Sequence, residues 1–533
     1  MRSAVVLTFC LFAGPALAQA PETVLVNGKV LTVDRESSVR EAIAIRDGKV
    51  LAVGRTADIR KLAERSTRVI DLGGRTVIPG LIDSHLHAIR AAKTFATEVN
   101  WTGVRSLAAA LGRIRDAAKT MPPGAWLIVA GGWTERQFTE NRRPTQAELH
   151  AAAPANPVYV QLGYTWAVLT PPALAALNLT APDGVVSGAQ GTIIALFDRL
   201  PGPTFEQQVE GTRAFFRELN RLGITGVVDP GGNNLSAADY QALFTVWRQR
   251  QMTVRVAYSL GTQTAGTELS ELQNLTALLP MGFGDDMLRF NGIGERITAA
   301  MNNNDAPAAA DQEAYYAIAR WAAGRGMTLT MHWGNDRSVA TLLSIFERVN
   351  REIPIAPLRW SIAHLNDASA ATLARMQGLG VGWTMQDAMY FGGDQLLQSR
   401  GADVARRTPP LETARRLGVV VGAGTDAHRV ASYNPFTALQ WIVDGRSVSG
   451  TAIRGPEESP DRLGALRLYT LGSAWFSHDD DTRGSIEPGK LADLAVLSED
   501  FTTVPVDRIG GIESVMTMVG GRVVYAAGAF AAL

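Results

Sequence analysis

Cysteine, lysine and net charge are scarce in this 533-residue chain, and each scarcity excludes a class of function. The single cysteine, Cys10, lies in the N-terminal segment, so a disulfide, a thiolate nucleophile and a zinc–sulfur site are excluded from the body of the chain. Lys+Arg and Asp+Glu each total 51, and a zero net charge without a basic block argues against nucleic-acid binding. No apolar run reaches the roughly 20 residues that a membrane-spanning helix needs. With 46% hydrophobic residues, the composition is that of a globular protein.

The first twenty residues have the pattern of a secretory signal peptide. Arg2 precedes an apolar stretch over 4–13, and Ala16-Leu17-Ala18 supplies small residues at the −3 and −1 positions of a cleavage site. We therefore predict export, to the periplasm, with cleavage after Ala18 or Ala20. The alternative is an ordinary N-terminal strand or helix.

The middle of the chain alternates short apolar runs with stretches of helical periodicity. The runs span 76–87, 224–229, 254–260, 288–295, 328–333, 359–365, 381–386 and 419–426. Eight strands with helical crossovers predict an α/β fold, a parallel (β/α)8 barrel of the TIM type. An open doubly wound sheet is the competing topology. Residues of about 100–200 are predicted to be an insertion after the first strand unit.

Both ends of the mature chain have the pattern of β-hairpins. Apolar and polar residues alternate around Asn-Gly and Asp-Gly turns in 24–34 and 41–54, and 490–500 and 515–528 repeat this style. We therefore predict a small β domain built from both termini. The predicted boundaries are 1–20 for the signal peptide, 21–77 and 476–533 for the β domain, and 78–475 for the barrel.

Four of the seven histidines and one aspartate fall at the ends of predicted strands. His85 and His87 end the first strand on the same face, His332 ends the fifth, His364 the sixth and Asp426 the eighth. A single histidine on a strand is more often a core residue, but five such residues at strand ends are hard to explain by packing. The carboxyl ends of barrel strands form active sites. Imidazoles with a carboxylate suit zinc, iron, nickel or manganese, with water at an open position.

Five segments together resemble the amidohydrolase superfamily, and within it the amidohydrolase-3 or N-substituted formamide deformylase-like group. They are IPGLIDSHLHA (78–88), MHWGND (331–336), RWSIAHLN (359–366), GAGTDAH (422–428) and GSIEPGKLADLAVL (484–497). The resemblance implies a (β/α)8 barrel with a β-sandwich formed from both termini, and a metal-activated water that attacks a C–N bond. By position it implies that His85, His87, His332 and His364 bind metal. Asp426 matches a further ligand, suited to moving the proton of the water to the leaving nitrogen.

The sequence departs from the group on the fourth strand, where many relatives carry a lysine carbamate that bridges two metals. No lysine occurs between Lys119 and Lys490, and the matching stretch reads Asn291-Gly292-Ile293-Gly294-Glu295. Either Glu295 bridges two ions or the site is mononuclear, and a third interpretation pairs Glu295 with a neighbouring arginine, Arg289 or Arg296. The predicted cofactor is therefore a divalent metal, Zn²⁺ by preference, with one or two ions per chain.

Four further residues are candidate substrate contacts, with core packing or loop stabilisation as their alternatives: Trp133, Tyr164, Trp383 and His428. We predict an exported metal-dependent amidohydrolase that acts on a non-peptide C–N bond, an amide, an N-formyl or N-acyl group or a cyclic amide, of a small molecule. The alternatives are an ester, lactone or phosphoester hydrolase, a deaminase, or a non-catalytic periplasmic metal- or ligand-binding relative. The sequence does not decide whether the protein forms a homo-oligomer.

Overall fold

The computed structural model describes residues 20–232, 235–302 and 304–533, so the predicted signal peptide up to residue 19 lies outside the described residues. Within these ranges 22 strands form five sheets. The strands are β1 Thr23–Val26, β2 Lys29–Leu31, β3 Val39–Arg40, β4 Ala42–Arg46, β5 Lys49–Gly54, β6 Arg68–Asp71, β7 Thr76–Pro79, β8 Leu81–Asp83, β9 Leu127–Val129, β10 Val158–Leu162, β11 Trp166–Leu169, β12 Val185–Ser187, β13 Ile224–Asp229, β14 Arg255–Leu260, β15 Leu288–Ile293, β16 Thr330–Trp333, β17 Ser361–His364, β18 Gly382–Gln386, β19 Val421–Gly424, β20 Leu494–Leu497, β21 Ser514–Val519 and β22 Arg522–Ala526.

The described ranges also contain 18 α-helices, and most of the long ones lie between strands of the middle region. They are α1 Thr56–Arg60, α2 Ala88–Phe95, α3 Leu107–Thr120, α4 Gln146–Ala152, α5 Pro171–Ala176, α6 Gln190–Phe197, α7 Phe205–Arg221, α8 Gln241–Arg248, α9 Glu268–Leu275, α10 Ala309–Gly324, α11 Asp336–Glu352, α12 Ala370–Leu379, α13 Ala388–Arg400, α14 Ala402–Ala405, α15 Leu411–Leu417, α16 Pro435–Asp444, α17 Arg462–Arg467 and α18 Ser473–Trp475. In the described part of the chain no helix has the length and apolar character needed to cross a membrane.

Two four-stranded parallel sheets contain a strand from each of the eight apolar runs. Their orders are β15-β14-β13-β8 and β16-β17-β18-β19. A parallel bridge from Ile293 to Leu329 joins β15 to the residue before β16. Beside β8 and β19, the backbone N–H of Ser84 donates to the carbonyl of Ala423 at 3.1 Å. Parallel strands in this arrangement bring their carboxyl ends to one edge, where ligand sites of α/β proteins lie.

The first predicted strand, 76–87, is divided between two sheets, so the prediction of one continuous strand is wrong. β7 pairs with β2 and β20, whereas β8 pairs with β13. Gly80 separates them, and a Cβ atom there would lie 2.2 Å from Thr225 Oγ1, so this passage requires glycine. Because β8 ends at Asp83, His85 and His87 lie in the loop that follows, and strand alternation does not explain their shared direction.

Strands from both ends of the chain share the six-stranded sheet β22-β21-β20-β7-β2-β3. The central pair is antiparallel and aligns Ala495 of β20 with Ile78 of β7. The four-stranded sheet β5-β4-β1-β6 contributes Leu25 and Ile43 to the same apolar cluster as Val77 and Met516 of the six-stranded sheet. The termini are therefore held together by both backbone pairing and apolar contact.

A separate sheet, β12-β11-β10-β9, lies in the region predicted as an insertion. Its residues belong to two apolar clusters, one around Trp101 and Trp133 and one around Tyr159 and Ile193. The segment after α2 and the insertion meet near the carboxyl ends of the parallel strands, since Glu98 forms a backbone bridge with Ile128 and contacts His428 beyond β19. The insertion therefore borders the edge at which the histidines lie.

Candidate metal centre

The carboxylate of Glu295 lies among all four histidines that the sequence singles out. Its Oε2 atom is 3.0 Å from His332 Nδ1 and 3.4 Å from both His85 Nε2 and His364 Nε2. Its Oε1 atom faces the other way and lies 3.3 Å from His87 Nε2. Glu295 therefore belongs to the cluster, and its two oxygens point to different members of it.

Asp426 completes the cluster on the side of His87. Its Oδ1 atom lies 3.1 Å from His87 Nε2 and 3.7 Å from His85 Nε2, and its Oδ2 atom lies 4.0 Å from His364 Nδ1. The side chain of His85 is fully buried, whereas 14% of Asp426 and 27% of His332 are exposed. A small molecule therefore reaches the cluster from the side of Asp426 and His332.

The donor atoms fit a divalent cation. Two sets of three ligands each have their donor atoms within 4.8 Å of one another: His85, His87 and Asp426, and His85, Glu295 and His364. The Nε2 atoms of His85 and His364, which face the carboxylates, are buried with no hydrogen-bond partner among the described residues. Leaving buried polar atoms unsatisfied is costly, and coordination to a cation would satisfy them. Imidazole nitrogen with carboxylate oxygen is a donor set that zinc and similar metals prefer.

The turn after β19 carries Asp426 against the loop after β8. The backbone N–H of Asp426 donates to the carbonyl of His85 at 2.8 Å. Gly424 permits this approach, because a Cβ atom there would lie 2.6 Å from His85 N. The buried carboxylate of Asp83 joins the same loops, accepting from Thr425 Oγ1 at 2.7 Å and from His85 N at 3.0 Å. Burial outweighs these hydrogen bonds and raises the pKa of Asp83 to about 7.

The orientation of His87 is fixed from behind the cluster. Its Nδ1 atom lies 2.7 Å from the carbonyl oxygen of Gly231, and an N–H at this position directs Nε2 towards the carboxylates. Asp229 holds this loop in place, because its carboxylate accepts from the backbone N–H of Gly231 at 2.9 Å and of Ile89 at 2.8 Å. The buried backbone of β13 thereby sets the position of a ligand that follows β8.

The electrostatics of the cluster favour positive charge. Burial disfavours ionised carboxyl groups, but the surrounding histidines outweigh it and hold the pKa of Glu295 and of Asp426 below their usual range. Burial and Arg90 also disfavour a charged His87, yet Asp426 and Glu295 raise the pKa of His87 to about 10. A divalent cation bound here would replace protons as the balancing charge, so metal binding and proton release are coupled.

Two of the four candidate substrate contacts lie in the core, so the prediction that they line a pocket is wrong. Trp383 is fully buried in β18, and its Nε1 donates to the carbonyl of His364 at 2.7 Å. Trp133 is 2% exposed, and its Nε1 donates to the carbonyl of Gln161 at 2.8 Å. Large aromatic side chains have the same sequence pattern in a core as in a pocket wall. Tyr164, in contrast, lines a cavity together with Arg90 of α2.

His428 stabilises a loop, which was the alternative to its predicted role as a substrate contact. β19 ends at Gly424, and beyond it the Nε2 atom of His428 lies 2.8 Å from Glu98 Oε2. The guanidinium of Arg429 lies 3.1 Å from the other oxygen of the same carboxylate. Glu98 is 330 residues away from His428 along the chain, and nothing in the surrounding sequence marks it as its partner.

The sequence did not single out two further ionisable residues, the half-buried Arg90 and the buried Asp387. Arg90 lies on α2, one turn after His87. Asp387 follows β18, and both oxygens of its carboxylate are buried with no partner among the described residues. Burial, together with the carboxylates of Asp83 and Asp426, raises the pKa of Asp387 well above its usual range. The sequence hypothesis that Arg289 pairs with Glu295 is wrong, because Arg289 pairs with Asp479.

Imidazoles and carboxylates grouped at the carboxyl ends of parallel strands are the donor set and the location that a metal-dependent hydrolase would use. A model of the amidohydrolase family matches residues 68–525. The chain therefore belongs to the amidohydrolase family, and it is a metal-dependent enzyme that hydrolyses C–N bonds.

Similar proteins are found across the whole length. The N-substituted formamide deformylase of Arthrobacter pascens is 24% identical, over 96% of this chain and 99% of its own. A metal-dependent hydrolase from Pyrococcus horikoshii OT3 has a TM-score of 0.66 at 20% identity, covering 91% of this chain and 99% of its own. A zinc-bound adenosine deaminase from Xanthomonas campestris has a TM-score of 0.56 at 16% identity, covering 97% and 95%. These two structures support the fold.

Proposed function

We propose that the protein hydrolyses a non-peptide C–N bond of a small molecule, an amide, an N-formyl or N-acyl amine or a cyclic amide, with Zn²⁺ as its metal. The observation that carries this proposal is the meeting of Glu295 and Asp426 with four histidines within 4.0 Å. The similarity to an N-substituted formamide deformylase, over nearly the full length of both chains, supports N-formyl amines as the first substrates to test.

The remaining features of the proposal concern architecture and location. We propose that the two parallel sheets close into a (β/α)8 barrel, supported by the Ile293–Leu329 bridge on one side and the Ser84–Ala423 hydrogen bond on the other. The two terminal sheets, with their shared apolar cluster, would form the β-sandwich. We also propose export to the periplasm, which N-terminal sequencing of protein from a secreting host tests. A mature chain that begins at Gln19 or Pro21 is expected, and retention of Met1 would contradict export.

The chain's own residues account for the proton movements of hydrolysis. A bound divalent ion lowers the pKa of a coordinated water from 15.7 to roughly 7. Asp426 lies on the accessible side of the cluster, where its carboxylate accepts the proton from the attacking water. The same carboxyl then donates this proton to the leaving nitrogen, and general acid–base transfer of this kind contributes about 10²–10⁴-fold in rate.

We propose that Glu295 would supply one carboxylate oxygen to each of two divalent ions, the role that a lysine carbamate has in many relatives. Its Oε1 atom faces His87, and its Oε2 atom faces His332 and His364, so the two oxygens serve different ligand groups. Metal content per chain tests the bridge. Two ions in wild type and one in Glu295→Ala are expected, while one ion in both proteins would contradict a bridge and leave a mononuclear site.

A substrate panel with and without metal tests the function. The Zn²⁺-loaded enzyme is assayed on N-formyl amines, N-acyl amines, cyclic amides, lactones, aryl phosphates and adenosine. We expect turnover of the amides, its loss on chelation and its return on adding Zn²⁺. Turnover confined to lactones, phosphates or adenosine would contradict the proposed bond. A tightly held ion without turnover of any compound would indicate a binding protein.

A further inference from the structure

A cavity of about 110 Å³ is lined by Arg90, which lies one turn after His87 of the metal cluster. One wall is α2, which begins directly after His87 and contributes Arg90 and Lys93. Tyr164 of the insertion forms another wall, and Ile194 and Phe197 of α6 form an apolar one. A single water needs roughly 10–15 Å³ on the same measure, so this volume accepts a chemical group of several heavy atoms.

Among the cations that line this cavity, Arg90 lacks a partner in the part of the chain that the structure describes. Lys93 forms an ion pair with Asp239. Arg429 pairs with Glu98, and its guanidinium lies 4.3 Å from the centre of the Phe197 ring. Within the described ranges Arg90 forms neither an ion pair nor a hydrogen bond through its side chain, and its Nε atom is buried. Arg90 is half-buried, and the donors of its guanidinium that face the cavity are available to a ligand from outside the chain.

Arg90 also lies next to the metal cluster. A Cβ atom built on Gly232 would be 3.1 Å from the ring of His87 and 3.8 Å from Arg90 Nη1, so both side chains border the same small space. Burial disfavours the guanidinium charge, but Tyr164, Asp426 and Glu295 outweigh it and raise the pKa of Arg90. Asp229 offsets part of the same charge, but none of these carboxylates forms an ion pair with the guanidinium in the described part of the chain.

We propose that Arg90 binds a carboxylate of the substrate, so that the enzyme acts on amides or N-acyl amines that carry an acid group close to the scissile bond. The planar guanidinium matches a carboxylate in a two-point contact. The apolar wall of Ile194 and Phe197 would accept the substituent beside the acid. This inference rests on the proposed C–N hydrolysis and narrows its substrate class.

A matched pair of substrates isolates the acid group. N-formylphenylalanine and N-formylphenethylamine differ only in the carboxylate, and we expect wild-type kcat/KM to favour the acid. Arg90→Gln should lower kcat/KM for the acid by about 30-fold or more, as expected for loss of one partner of a buried charged pair, mainly through KM. For the neutral amide the loss should be smaller, because only the acid loses a direct contact with the guanidinium. Equal losses on both substrates, or no loss on the acid, would overturn the proposal.

Two more variants separate direct binding from general effects of charge or folding. Arg90→Lys keeps the charge but loses the two-point contact, so it should recover part of the preference for the acid. Lys93→Gln removes a cation from the same cavity wall and should leave the preference close to wild type, because Lys93 is already paired. If Lys93→Gln reduced the preference as much as Arg90→Gln, a specific Arg90 contact would be excluded.

Calorimetry gives a readout that needs no turnover. The metal-loaded enzyme is titrated with 3-phenylpropanoate and with its neutral amide. Binding of the acid that is lost in Arg90→Gln and partly kept in Arg90→Lys supports the inference, even if neither formyl compound is hydrolysed and the proposed function fails. Acid binding that persists unchanged in Arg90→Gln would place the carboxylate on the metal and overturn it. No binding of the acid to wild type would overturn it as well.

Discussion

Buried charged and polar groups lack some partners at the carboxyl ends of the parallel strands, whereas they are paired within the chain at the amino ends. At the carboxyl ends, Glu295 and Asp426 meet histidines whose ring nitrogens include buried atoms without partners. At the amino end of β14, Arg255 and Asp493 form a two-point ion pair at 2.7 and 3.0 Å, with only 4% of each side chain exposed. Asp286 and the N–H of Gly520 complete this second group.

The difference separates a site that requires a ligand from one that is complete without it. The amino-end group joins β14 to the C-terminal sheet, and the principal donors and acceptors of its ion pair are matched within the chain. The carboxyl-end cluster leaves donor atoms unmatched in a low-dielectric interior, which native proteins tolerate mainly at functional sites. Substitutions in the amino-end group should therefore affect mainly stability, and substitutions in the carboxyl-end cluster should affect mainly activity.

The largest expected effect is on turnover, at the carboxyl ends. Asp426→Asn keeps the size of the side chain but cannot accept the proton of the attacking water, so kcat should fall by about 10²–10⁴-fold. The loss of stability, measured as the midpoint of urea unfolding, should be smaller than for the amino-end variants, because Asp426 contacts His87 through one oxygen and not in a two-point pair. Metal content is measured alongside, and near-normal kcat in a protein with full metal would show that Asp426 does not move the proton.

The next effect is on stability, at the amino ends. Arg255→Gln leaves the carboxylate of Asp493 buried without its partner, which should cost about 3–5 kcal/mol in the free energy of unfolding. The variant is compared with Asp493→Asn and with the double variant by urea denaturation. The double variant should lose less than the sum of the single ones, because no uncompensated carboxylate remains. A loss of kcat greater than the loss of folded protein would contradict the proposal that the amino-end group serves stability alone.

The candidate metal ligands were predictable because each lies at or just after the end of one of the apolar strand runs. Each apolar run contains a strand, and the histidines and Asp426 follow or end these strands, so their convergence follows from parallel pairing. The break at Gly80 was not predictable, because the apolar pattern continues across it and only the approach of Thr225 requires the glycine. Glu295 could be proposed from the missing lysine, but its contacts with four histidines needed the structure.

Partners that are distant in sequence and have no motif escaped prediction. Glu98 meets His428 across 330 residues, and one charged residue in a helical or loop segment resembles any other. Trp133 and Trp383 fit both a core and a pocket, and only their burial decides. Arg90 has one faint signal, its place one turn after His87, but its lack of a partner is visible only in three dimensions.

The pair of Glu98 and His428 lies near the metal cluster, but its charges are matched within the chain as in the amino-end group. It provides the third prediction, with the smallest expected effect. Burial disfavours the carboxylate, but Arg429 and His428 outweigh it and lower the pKa of Glu98 from 4.5 to about 2. A carboxyl whose pKa is lowered on folding stabilises the fold above its unfolded pKa, and this contribution is lost as the pH falls from about 4.5 to about 2.

The contribution of Glu98 should reach about 3 kcal/mol above pH 5. Urea unfolding across pH 2.5–6 measures it as an excess slope that Glu98→Gln removes, whereas Glu36→Gln, which changes an exposed carboxyl, serves as the control. An unchanged slope in Glu98→Gln would show that the carboxylate is not held ionised by Arg429 and His428. Another contact would then have to hold the loop after β19. The stabilisation by paired buried charge that is seen at the amino ends would not apply to the residues next to the metal cluster.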